Sequence, residues 1–119
     1  MKGDDIGERL LEFGVRVLRL VLALPRNLAG RHIASQLVRC GTSAGSNYEE
    51  ARGAESRADF IHKLGVAWKE MRESWYWLRL VHRGQLLKPS QVANILQEAD
   101  ELSRILASSQ KTAKKVKQT

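Results

Sequence analysis

The residues that could support metal or acid–base chemistry are few, and they do not form a complete site. Asp59 and His62 give one Asp-x-x-His pair, but a two-metal site in a helical bundle needs carboxylates from four helices and two Glu-x-x-His pairs. Glu49 and Glu50 are adjacent, so on a helix they would point about 100° apart rather than form an acid/base pair. The sequence therefore predicts neither a metal ion nor another cofactor.

Nucleophilic and phosphate-loop chemistry also lacks the residues that it requires. The single cysteine, Cys40, lies on the apolar side of a helical pattern, which favours packing over a nucleophile that needs a histidine base. The run from Gly41 to Asn47 lacks the Gly-Lys-Ser/Thr ending of a phosphate loop and follows a helix instead of a strand. Its glycines lower helix propensity, so we expect them to serve close packing of a neighbouring helix. We predict that the protein is not an enzyme.

One row of side chains has the composition of a surface that binds nucleic acid. Its members recur at spacings of three and four on one side of the third helical segment: Lys69, Arg72, Tyr76, Arg79 and Arg83. Cations can grip phosphates while the tyrosine stacks on an unpaired base. The formal net charge of +7 also favours anionic partners. The alternative is a solvated face whose cations pair with acidic residues of the last helix, namely Glu98, Asp100 and Glu101.

Four segments with helical periodicity must position these residues. Their apolar spacing predicts helices over about 5–24, 30–52, 56–83 and 89–107. Asp5 and Ser56 are the expected N-caps of the first and third helices, and Gly84 is the expected C-terminal stop of the third. The core stripe of the third helix includes Trp68, Met71 and Trp75, by the same spacing.

Short connections between amphipathic helices predict an all-α protein, an antiparallel up-down four-helix bundle spanning residues 1–107. Residues 108–119 are rich in lysine and predict a basic, disordered tail. Hydrophobic residues make up 43% of the chain, which is enough for a core. The longest apolar run, residues 20–24, is too short to span a membrane. We expect no membrane partner, and the cytoplasm is the expected location.

Two helices carry a second apolar face that a monomer would leave in water. On the first helix these residues are Leu11, Val15, Leu18 and Leu22, and on the third they are Val66, Trp77 and Leu80. We interpret both faces as an interface of a homo-oligomer with closed cyclic symmetry. The alternative is an irregular monomer in which a loop or the tail covers part of this surface.

The middle of the chain also resembles a known family. The segments QLVRCGTSAGSNYEEA at 36–51 and SRADFIHKL at 56–64, followed by KE at 69–70 and YWL at 76–78, resemble the bacterial four-helix-bundle proteins encoded in intervening sequences of 23S rRNA genes. A more distant similarity is to the accessory variability protein of diversity-generating retroelements. The resemblance implies a homopentameric ring and no established catalytic activity. The family pattern also points to Arg39, Thr42, Ser43, Asn47, Glu50, Asp59, Phe60 and Lys63. Of these, Ser43, Asn47, Glu50 and Asp59 form the polar surface that the resemblance implies.

Taken together, these patterns predict a non-enzymatic, oligomeric protein that binds nucleic acid, with RNA favoured. Arg39 and Lys63 join the basic row of the third helix as candidate nucleic-acid contacts. The alternative function is a protein-interaction scaffold or an accessory subunit of a nucleic-acid enzyme, in which case the positive charge is incidental.

Overall fold

The computed structural model describes residues 2–115, with side chains from Asp4 onward, and this part of the chain consists of four α-helices without a strand. They are α1 (Lys2–Val21), α2 (Leu28–Arg52), α3 (Arg57–Arg83) and α4 (Pro89–Lys115). The molecule is elongated, with extents of 54 × 21 × 20 Å. The prediction of an all-α protein with four helices is confirmed.

Capping side chains explain where α2, α3 and α4 begin. The Asn27 side chain accepts a hydrogen bond from the Gly30 N–H at 2.9 Å, and Ser56 Oγ accepts one from the Asp59 N–H at 3.1 Å. At the start of α4, the Lys88 N–H donates to Gln91 Oε1 at 2.9 Å. These bonds satisfy backbone groups that a helix leaves unpaired at its ends. The predicted N-cap at Ser56 is confirmed.

Helix α1 differs from its prediction at both ends. It begins at Lys2, so Asp5 lies inside the helix and is not its N-cap. It ends at Val21, before the predicted Leu24, although the Leu24 side chain is still buried. An acidic residue in the first turn favours a helix as a cap does, which is why the sequence pattern suggested a later start.

The predicted disordered tail is wrong over residues 108–115, because α4 continues through Lys115. Ala113 is buried, and its carbonyl accepts a hydrogen bond from Arg57 Nη2 at 3.0 Å. Gln110 Nε2 also donates to the Ile61 carbonyl at 3.2 Å. The start of α3 therefore holds this extra length of helix in place. The remainder of the predicted tail, residues 116–119, lies outside the described residues.

Each helix contributes large side chains to one continuous core. Phe13, Leu37, Met71 and Leu102, one from each helix, are all fully buried. Burying an aliphatic or aromatic side chain of this size contributes roughly 1.5–3 kcal/mol. The core therefore holds the four helices together and fixes which side of each helix faces outward.

Glycines bring α1 and α2 close together. A Cβ atom placed on Gly41 would lie 2.8 Å from Val17 Cγ2, and one on Gly45 would lie 3.4 Å from Leu10 Cβ. Contacts between these helices join the start of α1 to the end of α2, where the Tyr48 hydroxyl donates to the Gly3 carbonyl at 3.1 Å. The expected packing role of the glycines is thus what the structure shows.

Candidate functional site

The basic residues of α3 form an exposed row with one aromatic residue among them. This α3 row consists of Lys69, Arg72, Tyr76, Arg79 and Arg83. Arg79 is partly buried and the other four are exposed, with Tyr76 at 52%. Among the side chains that the structure describes, no carboxylate lies within 4.0 Å of any of the four cations. The row can therefore present its charge to another molecule.

The acidic residues of α4 have other partners. Glu98 and Glu101 form ion pairs with Arg9 of α1, at 2.8 and 3.1 Å. Asp100 pairs with Arg104 one helical turn away, at 3.3 Å. The alternative in which these acids neutralise the α3 row is therefore wrong. Helix α4 packs beside α1 at these ion pairs. The sequence alone did not predict that Arg9 would lie opposite Glu98 and Glu101.

Trp75 organises two cations of the α3 row. The guanidinium carbons of Arg72 and Arg79 lie 4.6 and 4.5 Å from the centroid of the Trp75 ring. Contacts at this distance are attractive cation–π interactions. Trp75 packs against the core, as its spacing predicts, but it is only partly buried and its ring also faces these two arginines. The overlooked signal was the pair of arginines at positions −3 and +4 from the tryptophan.

Arg39 and Lys63 do not belong to the α3 row. Arg39 of α2 forms ion pairs with Glu70, at 3.1 Å, and with Glu73. Lys63 of α3 pairs with Glu50 of α2 at 2.6 Å, and this hydrogen bond raises the pKa of the lysine. Carboxylates thus neutralise both cations between α2 and α3. Their role as nucleic-acid contacts stays a prediction, but each is paired with a carboxylate, unlike the cations of the α3 row.

The polar residues implied by the family resemblance lie in α2 and in the first turn of α3. Asn47 Nδ2 donates to the Ser43 carbonyl at 3.0 Å and to Ser43 Oγ at 2.9 Å. Glu50 holds Lys63, and Asp59 lies in the first turn of α3. These contacts are internal to the chain. In residues 3–115 there is no group of three or more His, Cys, Asp or Glu that could hold a metal ion.

Cys40 has a packing role. It is fully buried, and Ser74 Oγ donates a hydrogen bond to its sulfur at 3.2 Å. Burial raises the pKa of the Cys40 thiol. A nucleophilic cysteine needs a lowered pKa and access to solvent, so this environment is that of a structural residue.

The predicted second apolar face is exposed on α1. Leu11, Leu18 and Leu22 are 62%, 47% and 83% exposed, whereas Val15 is partly buried. Leu11, Val15 and Leu18 line a groove of about 420 Å³ between α1 and α2. The groove owes its depth to the small residues at this helix pair, including Gly14 and Gly45.

The corresponding face of α3 is less available. Leu80 is 39% exposed, but Val66 and Trp77 are partly buried. Trp77 Nε1 donates a hydrogen bond to Glu73 Oε2 at 3.1 Å. The Trp77 ring also packs edge-on against the His32 ring, with 5.6 Å between the ring centroids. Trp77 is thus held within its own chain. The α1 face, defined by Leu11, Val15, Leu18 and Leu22, is therefore more exposed than the corresponding face of α3.

The protein is thus a small all-α protein of four helices. It has a basic surface on α3 and an exposed apolar face on α1. No helix within residues 2–115 has the length and apolar character needed to cross a membrane. The chain belongs to the 23S rRNA-intervening sequence protein family, whose family model matches residues 5–108. The resemblance identified in the sequence is therefore confirmed, and this family is not a known enzyme family.

A solved structure supports the same assignment. This chain is similar to a protein with unknown function from the S23 ribosomal protein family of Bacteroides thetaiotaomicron VPI-5482, whose crystal structure was determined at 1.70 Å. The TM-score is 0.84 and the identity is 38%, over 93% of this chain and 99% of that chain. No curated protein matches this chain.

Proposed function

We propose that this protein is a non-enzymatic, oligomeric, nucleic-acid-binding protein, with RNA favoured, whose up-down bundle presents the α3 row. One observation carries the proposal: the four cations of the row have no carboxylate partner among the described residues and surround the exposed Tyr76. Each phosphate that a cation neutralises releases condensed counterions, which favours binding. The tyrosine ring adds a surface on which a base of single-stranded RNA can stack.

Self-association would multiply these contacts. The exposed leucines of the α1 face support an interface between copies of the chain. A homopentameric ring is the assembly that the family resemblance implies. In such an assembly, weak phosphate contacts on each subunit act at a high effective concentration along one RNA.

Fluorescence anisotropy with a labelled single-stranded RNA and a duplex DNA, at about 50 and 200 mM salt, tests the proposal. We expect RNA binding at low salt that weakens as salt rises, and a further loss in the variant Lys69→Glu/Arg72→Glu. The matched control is Arg104→Glu/Lys111→Glu, which changes the net charge equally on exposed residues of α4. The proposal fails if the wild-type chain binds no nucleic acid at low salt, or if both variants lose the same affinity.

A protein scaffold is the second candidate function, and the groove beside the α1 face favours it. The groove is lined largely by apolar and small residues, including Leu11, Val15 and Leu18. A partner helix could lay its apolar side there. Recovery of one protein at fixed stoichiometry after nuclease treatment, by a chain that binds no RNA, would support this function over the first.

A further inference from the structure

Positive charge is concentrated in one part of the bundle. Residues 13–48 and 74–97 contain eight Lys or Arg and no Asp or Glu, whereas the rest of the chain has twelve against 13. The first set has a net charge of +8 and the remainder −1, which together give +7. Contacts between Cys40 and Ser74, and between His32 and Trp77, show that the two acid-free stretches lie side by side.

Several of these cations line neighbouring depressions in the surface of the bundle. Arg16 and Arg19 line a cavity of about 340 Å³ with Ser90 and Asn94 of α4. Arg83 and Lys88 line a second one of about 750 Å³, and Ala23, Leu87 and Gln91 belong to both.

Arg26 and Arg31 lie on the loop and helix start that follow α1, around a smaller cavity of about 140 Å³. We name these six residues the cationic end: Arg16, Arg19, Arg26, Arg31, Arg83 and Lys88. None of them pairs with a carboxylate within 4.0 Å in residues 3–115.

Arg19 and Arg83 lie in the last turns of α1 and α3, where a cation favours the helix. The placement of Arg26, Arg31 and Lys88, in contrast, does not serve helix stability. The first turns of α1 and α3 carry acidic residues, as the positive end of a helix dipole favours. The first turns of α2 and α4 carry none, and Arg26, Arg31 and Lys88 lie at or near them instead. Cations at a helix start are unfavourable by themselves, but an anionic ligand bound among them would reverse that effect.

We propose that the phosphate chain of single-stranded RNA binds across the cationic end, and that Arg83 connects this surface to the α3 row. The inference rests on the proposed function and specifies its main binding surface. Hydrogen-bonding side chains beside the cations, such as Ser90 and Asn94, suit phosphate and ribose oxygens. The wider of the two cavities also provides a recess in which a strand can follow the end of the bundle.

An anionic membrane surface is the competing ligand. Leu22 and Leu28 are 83% and 88% exposed near Arg26, and cations beside exposed leucines also occur on proteins that bind lipid. However, four of the six cations line open depressions that also contain Ser90, Gln91 and Asn94, and such hydrogen-bonding side chains suit the phosphate and ribose oxygens of RNA. The observations therefore favour a flexible polyanion.

Three double variants of equal charge test the inference. Arg26→Glu/Lys88→Glu alters the cationic end, Lys69→Glu/Arg72→Glu alters the α3 row, and Arg104→Glu/Lys111→Glu is the control. All six residues are exposed. The probe is a fluorescein-labelled single-stranded RNA of about 20 nucleotides, titrated at several KCl concentrations. Circular dichroism verifies folding, and Arg26→Gln/Lys88→Gln replaces the first variant if that chain does not fold.

We expect the cationic-end variant to lose at least about tenfold in affinity, more than either of the others. Its slope of log affinity against log salt, which is negative, should become less negative by about 0.7 for each lost phosphate contact. If only the α3-row variant loses affinity, the inference is overturned while the proposed function stands. If the wild-type chain binds no RNA, both fail. If the cationic-end variant keeps RNA binding but loses binding to phosphatidylserine-containing vesicles, the membrane surface replaces RNA as the ligand.

Discussion

Replacing Lys88 by Asp should stabilise the fold and weaken RNA binding at the same time. Lys88 immediately precedes Pro89, the first residue of α4, and its N–H already donates to Gln91 Oε1 at 2.9 Å. This bond is half of the reciprocal pattern in which the capping side chain also accepts from the helix. A lysine side chain cannot accept, because its ammonium group has only donors. An aspartate supplies the missing acceptor.

The size of the stabilisation follows from these contacts. A good N-cap contributes about 1 kcal/mol and a carboxylate at a helix start adds about 0.3–1 kcal/mol. The Gln91 N–H already donates to the Lys88 carbonyl at 2.9 Å, so the new acceptor would share that donor or take the Ser90 N–H. We therefore expect a net gain of about 1 kcal/mol, which in a chain of this size raises Tm by about 4 °C.

The effect on binding should have the opposite sign. The change removes a cation and adds an anion within the cationic end. Hydrogen bonds to charged groups are worth about 1.5–3 kcal/mol, so losing one phosphate contact at Lys88 lowers RNA affinity about tenfold. Thermal melting and anisotropy on the same preparation measure both quantities. Lys88→Ser is the control, since it keeps a capping oxygen and should show part of the stabilisation with a smaller loss of affinity.

Either half of this result can refute the reasoning. A lower Tm for Lys88→Asp would show that Lys88 is not a poorly capped helix start. A higher Tm with unchanged RNA affinity would show that Lys88 does not contact RNA.

Three further predictions concern the packing and the apolar face. Gly41→Val should destabilise the fold by about 1–3 kcal/mol in urea titrations, because even a Cβ there meets Val17 Cγ2 at 2.8 Å, and the loss should shrink in a Val17→Ala background. Leu11→Glu/Leu18→Glu should lower the mass measured by light scattering, and an unchanged mass would contradict the α1 interface. Burial raises the pKa of the Cys40 thiol above its ordinary 9.0, so the thiol loses its proton in the unfolded chain at a lower pH than in the folded chain. The free energy of unfolding should therefore fall as pH rises above about 9, and it should fall less in Cys40→Ala.

Helix number and most helix ends could be predicted because they depend on local features. Apolar spacing and capping residues such as Ser56 act within a few positions. The length of α4 could not be predicted, because its last turns contain a single buried residue, Ala113, among lysines. Those turns are held by distant groups, including the Arg57 guanidinium. A contact between residues 56 positions apart leaves no periodic signal in either segment.

The basic surface was predictable only in part, for a related reason. The spacing of the α3 row placed its members on one side of a helix, and the structure keeps them there. Whether a cation is free depends on which helix faces it. Glu73 neutralises Arg39 across the α2–α3 seam, while Glu98 turns to Arg9 and leaves the row unpaired. The cationic end became visible only when the fold placed the two acid-free stretches side by side.

Stability and binding are separable along this bundle. The ion pairs formed by Arg9, Arg52 and Lys63 lie outside the acid-free stretches and stabilise the other part of the molecule. Within the acid-free stretches, only Arg39 pairs with carboxylates. The cationic end is held by apolar burial, for example of Leu24 and Leu87. Exposed cations that form no ion pair can change without loss of the core. If the RNA site lies there, its affinity can be altered by substitution while the four-helix fold is retained.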